Sequence, residues 1–148
     1  MQTAGLLYIA SSAGNLLVAS TLKPIVSSTI SLITSLTTTS VSHESLDVVI
    51  VEIDVAATIK TIEATIIAMN CDKEPLKTAS TTVVNAIQHI NDILTKIADV
   101  TASHASGYLS RWRTLALDTE IAELRSGMII LNKRFALLCN INTMNHNT

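Results

Sequence analysis

The spacing of apolar residues in the last third of this chain limits its fold more than any other feature. From Asp118 onward they fall at Ile121, Leu124, Met128, Leu131, Phe135 and Leu138, a 3-4-3-4-3 rhythm. That rhythm gathers all of them on one face of an α-helix, the single seam of a helix packed in a bundle. An earlier segment repeats the pattern. Leu76, Val83, Ile90 and Ile97 recur every seven residues, with Ser80, Ile87 and Leu94 at the intervening seam positions. A third helix is expected from Ser42 or His43 to about Asn70. It carries Val48, Val55, Ile62 and Met69 at the same interval, Val51, Ile59 and Ile66 beside them, and a second stripe of Leu46, Ile50, Ile53 and Ala57.

The helix ends are also readable. Ser42 suits an N-cap, and Glu44 and Asp47 sit in the following turn, where the helix dipole favours acids. Pro75 suits the first turn of the helix that begins there. Asp118 or Thr119 caps the last helix, with Glu120 and Glu123 in its first turns and Lys133 and Arg134 toward its C-terminal end. Thr37–Ser42 reads as a polar break, Cys71–Glu74 as a tight connection and Thr101–Gly107 as a polar linker after a helix ending near Val100. Leu22 to about Thr38 is rich in Ser, Thr, Ile and Val, which favours strand on propensity. Yet Leu22, Val26, Ile33 and Leu36 share one helical face, and Pro24 suits a first turn, so helix is expected. Short connections imply antiparallel neighbours. The expectation is an all-α, up-down-up-down four-helix bundle over residues 22–141, preceded by an uncharged arm or short helix over 1–21 and followed by a frayed tail over 142–148.

Composition agrees with that architecture. At 148 residues the chain is a single domain, long enough to bury about two-thirds of its unfolded surface. Apolar residues make up 48% and aromatics only 3%, so the core must be aliphatic. The many β-branched residues are individually unfavourable in helices. Each fully buried Ile or Val returns roughly 1.5–3 kcal/mol, which outweighs that cost. With 4 Gly and 2 Pro there are few turn-formers, which favours a few long elements over many short ones. A net charge of −2 gives no overall attraction to nucleic acid or anionic membrane. The charges are nonetheless unevenly placed. Lys23 is the single charged residue before His43. Glu44 to Asp72 is strongly acidic, with Lys60 its one cation. From Arg111 onward, Arg111, Arg113, Arg125, Lys133 and Arg134 outnumber Asp118, Glu120 and Glu123.

The opening of the chain is uncharged but does not read as a targeting segment. It has no basic n-region, and its apolar run Gly5–Ala10 is broken by Ser11-Ser12-Ala13-Gly14-Asn15. The same interruption argues against a transmembrane helix. A leading helix split near Gly14-Asn15, or an arm on the bundle, is expected, and the compartment expected is cytoplasmic with membrane association left open. Two cysteines, Cys71 and Cys139, do not make a disulfide scaffold. Free thiols are expected. The second and fourth helices end at one pole, so a Cys71–Cys139 bond in an oxidising compartment is the alternative.

No catalytic constellation is visible, and no cofactor is expected. His43, His89, His104 and His146 are scattered, without zinc-ligand spacing. His89 and Asp92 share a helix face, which is half of a bundle metal motif, but His89 lies off the apolar seam. Glu52, Asp54 and Glu63 read as a solvated edge. The glycines are isolated, so there is no phosphate loop and no nucleophile elbow. Arg111-Trp112-Arg113 is the one segment built like a contact motif: a cation-flanked Trp either anchors a partner surface or plugs one end of the bundle. Two arginines without a wider basic stripe do not make a nucleic-acid interface.

Leu109-Ser110-Arg111-Trp112-Arg113, then Asp118-Thr119-Glu120-Ile121-Ala122-Glu123-Leu124 and Leu131 through Phe135-Ala136-Leu137, form a basic-apolar lead-in to an acidic-capped final helix. With Leu22-Lys23-Pro24-Ile25-Val26 and the long second helix, Leu22–Ile141 resembles the N-terminal helical domain of the mixed lineage kinase domain-like family and related fungal and plant immune-type bundles. The resemblance implies a non-enzymatic signalling bundle, in regulated cell death or immunity, that works by helical association or at membranes. The chain departs from the family in lacking a basic cluster in its first helices. Lys23 alone cannot supply the phospholipid attraction, which is worth about 1 kcal/mol per basic residue. The first reading is therefore an adaptor that binds a protein partner or itself, through Arg111, Trp112, Arg113, Arg125 and Arg134. A bundle that perturbs membranes through its uncharged N-terminal arm is the second. A secreted helical lipid carrier, needing cleavage near Ser20 and a Cys71–Cys139 bond, is the third.

Overall fold

The computed structural model describes residues 2–38, 50, 54–106 and 116–146, with side chains from Val18 onward except at 38 and 105. Among these residues every regular element is a helix and no strand occurs. α1 spans Gln2–Thr38 (37 residues), α2 Val55–Ala68 (14), α3 Leu76–Ser106 (31) and α4 Asp118–His146 (29). Leu22–Thr38 is helical, so burial of its stripe overrides the strand propensity of its Ser, Thr and β-branched residues.

The core follows the apolar rhythms closely. α3 buries its whole heptad: Leu76, Ser80, Val83, Ile87, Ile90, Leu94 and Ile97. α4 buries Ile121, Leu124, Met128, Leu131 and Leu138 and packs Phe135 half-buried against them. α1 contributes Val18, Leu22, Val26, Ile33 and Leu36, and α2 contributes Val55, Ile59, Ile62 and Ile66. Cys71 closes one end and Leu117 the entry to α4, both with no exposure at all (0%).

α3 is the central helix, packing against both α1 and α4, while α1 also packs on α2. α3 and α4 run antiparallel. Arg134 reaches Thr82, Gly127 lies over Ile90, and Glu123 meets Lys96, so descent along one helix is ascent along the other. α2 and α4 run in the same direction. A groove between them pairs Asp54 and Thr61 with Asn132 and Phe135, and a second pairs Thr65 and Met69 with Asn142 and His146.

Threonines are woven into these helices by a repeated bond. The hydroxyls of Thr29, Thr34, Thr37, Thr61, Thr65, Thr81, Thr95 and Thr143 each donate to the carbonyl four residues earlier, at 2.7–3.0 Å. Such back-bonds satisfy the hydroxyl within its own helix. One of these threonines is fully buried. Thr29 accepts from Asn91 Nδ2 at 3.0 Å while Asn91 also donates to Ser28 Oγ, which joins α1 to α3 through a polar contact inside the core.

Four expectations require correction. α1 runs unbroken through Gly14, Asn15 and Pro24, so Pro24 lies inside a helix rather than in a first turn. The second helix does not run continuously from Ser42 to Asn70. Asp54 takes a left-handed conformation (φ 50°, ψ 53°) and starts a new helix at Val55, and Ala57 of the proposed second stripe is exposed. Asp tolerates this conformation better than most residues because its short polar side chain bonds locally. α3 continues through Thr101–Ser106, because nothing before Gly107 breaks it. α4 continues to His146, well into the tail expected to fray over 142–148. Ser42, Glu44 and Asp47 lie outside the described residues. Pro75 precedes α3 directly, its carbonyl accepting from Ala79, and the Glu74 carboxylate accepts from both the backbone N–H and the hydroxyl of Thr78.

Candidate functional site

α4 is apolar on two sides. Its inner side is the buried seam already described. On its outer side Ile130, Leu137 and Met144 repeat every seven residues and are 41%, 55% and 67% exposed, with Ile129 beside them at 55%. At about 100° per residue this stripe lies nearly opposite the seam. Large apolar side chains at heptad spacing on a solvent face are what a second helix packs against.

Toward the N-terminal end of α4 the same face becomes concave. Thr119, Ala122, Ser126 and Gly127 are small, and the surface dips between α3 and α4 to form an open groove of about 570 Å³, with Asp118 and Glu123 at its rim and Ile130 at its end. His89 lines its α3 side. The groove exists because Gly127 lets the two helices approach: a Cβ there would stand only 3.3 Å from Ile90 Cγ1. The acids of α4, Asp118, Glu120 and Glu123, lie in its first turns; its cations are Arg125 just after them and Lys133, Arg134 and His146 in its second half. Glu123 makes an exposed ion pair with Lys96 at 3.7 Å, a class of contact worth about 0–1 kcal/mol.

The residues singled out from the sequence are dispersed. Arg111, Trp112 and Arg113 lie outside the described residues. Arg125 is exposed on α4. Arg134 is half-buried and donates through its guanidinium to the Thr82 carbonyl at 2.9 Å, so it fastens α4 to α3. Nine residues apart on a helix, Arg125 and Arg134 project to opposite sides. Cys71 and Cys139 are free thiols, the first buried and the second half-buried. Burial pushes the Cys71 thiol above its ordinary value, opposed in part by a hydrogen bond from Ser80 and reinforced by the Asp72 charge. Burial also raises Cys139.

His89 and Asp92 are both exposed, and Asp92 accepts from Gln88 Nε2 at 2.8 Å. Among the described residues no three His, Cys, Asp or Glu side chains gather as metal ligands. Among them, too, no helix is long and apolar enough to cross a membrane. The outer stripe is absent from the sequence reading because that reading followed the single seam of α4, which does not include Ile129, Ile130 or Leu137. The signal was present, since those positions interrupt a single-face pattern. No known protein family, curated protein or solved structure matches this chain.

Proposed function

We propose that this chain is a non-enzymatic association module, which binds another protein helix along the outer face of α4. The observation that carries the reading is the exposed heptad of Ile130, Leu137 and Met144 on a helix whose core seam is already filled. Helix-in-groove recognition reads such a stripe. The resemblance to the mixed lineage kinase domain-like family favours the same class, an adaptor in cell-death or immune signalling, and leaves Arg111, Trp112 and Arg113 as additional contact candidates. The directions of α2, α3 and α4 support an up-down-up-down order, with the uncharged start of the chain as an extension of α1.

The test replaces Leu137 with a photoreactive phenylalanine in the full chain, with Lys60 as an exposed control on α2. Defined protein adducts from position 137 and none from position 60 are expected. Equal yields at both positions, or none at either, overturn the reading.

One observation favours the membrane reading as a second possibility. α1 is helical from Gln2 and meets its first charge at Lys23. Dye release from vesicles that is abolished by Leu6→Glu with Ile9→Glu would move the activity to α1. No release from either anionic or neutral vesicles removes it.

A further inference from the structure

Given that α4 is the association face, its own pattern identifies the occupant. The same face carries projecting apolar residues in its second half, Ile130 and Leu137, and a small-residue groove in its first half, Thr119, Ala122 and Ser126. It also carries Glu123 in its first half and Lys133 in its second. Each half is complementary to the other half, in shape and in charge, and the two halves can meet only between helices running in opposite directions.

We infer that the partner is a second copy of this chain, with two α4 helices packed antiparallel about a two-fold axis at the level of Met128. This inference rests on the association reading above. In that register Leu137 of one copy lies over Thr119 of the other, Ile130 over Ser126, and Lys133 comes level with Glu123. The two-fold axis makes each contact twice, so the interface is isologous and closes at a dimer. The groove of about 570 Å³ beside Gly127 supplies the depth that Leu137 and Ile130 need. The Lys96–Glu123 pair is exposed and long, at 3.7 Å, so the carboxylate is open to Lys133 of the second copy.

Sedimentation velocity of the full chain across a concentration series tests the inference. A monomer–dimer equilibrium is expected. Lys133→Glu alone and Glu123→Lys alone each set like charges against each other and weaken the dimer roughly tenfold or more. The two substitutions together restore opposite pairing and return the dimer to within a few-fold of wild type. Rescue by the double exchange separates lost association from lost folding, and far-UV circular dichroism with a thermal melt checks each variant. Leu137→Ser gives a folded monomer. A chain that stays monomeric at every concentration, or a dimer indifferent to all four variants, overturns the inference. A monomer that nonetheless forms adducts with a different protein from position 137 overturns only the second copy, and the association reading stands.

Discussion

Asn91 donates through Nδ2 to the Thr29 hydroxyl at 3.0 Å, inside the interface between α1 and α3, and that hydroxyl donates in turn to the Ile25 carbonyl at 2.7 Å. The Asn91 side chain thus holds the two longest helices at one register. Asn91→Ala should lower stability by about 1–3 kcal/mol through a lost bond and a small cavity. Replacing both partners, Asn91→Leu with Thr29→Val, should be close to neutral in stability while loosening the register. Denaturant unfolding of the three proteins checks this, and a double variant as unstable as Asn91→Ala refutes it.

Gly127 separates two opposing effects. Alanine there gains about 0.5–1 kcal/mol of helix propensity, but its Cβ would meet Ile90 Cγ1 at 3.3 Å and Ile93 Cδ1 at 3.6 Å. The Ile90 side chain must give slightly, so Gly127→Ala should change stability by less than about 1 kcal/mol. Gly127→Leu has no such room and should cost about 1–3 kcal/mol or more by forcing α3 and α4 apart. Thermal melts of the two variants provide the comparison.

The Arg134 guanidinium spans from α4 to the Thr82 carbonyl on α3. Arg134→Ala should destabilise by about 1–3 kcal/mol, from the charge-assisted bond and the packing of its stem. Its neighbour Lys133 is exposed, and at concentrations where the chain is monomeric Lys133→Ala should fall within about 0.5 kcal/mol of wild type. Equal effects at the two positions would contradict the assigned roles.

Pro24 lies on the exposed side of α1, well inside the helix. It cannot donate to the ladder, and its ring crowds the preceding turn. Pro24→Ala should therefore stabilise the chain, by up to about 3 kcal/mol and less where the unfolded chain gains freedom. A fall in melting temperature would mean that α1 does not run continuously through this position.

The Cys71 thiol is held above its ordinary value, burial being the largest cause. A group whose folded value is raised stabilises the fold below its unfolded value and loses that stabilisation as pH climbs through the folded one. Stability should therefore decline above about pH 8.5, and Cys71→Ala should flatten that decline. At neutral pH, Cys139, half-buried on α4, should react with a thiol reagent before Cys71 does. Melts between neutral and alkaline pH, with thiol titration before and after denaturation, measure both.

The helical core was legible wherever one rhythm ran without competition. Every seam position of α3 is buried, because Leu76 to Ile97 repeats without a breaker; a second stripe, Ala79, Ala86 and Ile93, is buried too, since α3 packs on both α1 and α4. The α4 seam was equally clear, but its outer stripe was not, since one-dimensional spacing does not say which apolar positions a neighbouring helix will cover. The turn at Asp54 was hidden for another reason. No Gly or Pro marks it, and Val55 to Ile66 continues the apolar spacing from before the break, so only the left-handed backbone reveals it. Conversely, Gly14 and Pro24 look like breakers, yet α1 passes through both. The α4 groove depends on how closely Gly127 approaches Ile90, a distance between chain segments that local pattern does not contain.

The back-bonded threonines change what their abundance means. A hydroxyl donating to the turn below no longer offers its proton to water, so what a residue such as Thr61 or Thr143 shows its surroundings is largely a methyl group. At those positions the surface is closer to that of alanine or valine than the count of hydroxyls suggests, and covering it costs less hydration than covering a free hydroxyl would.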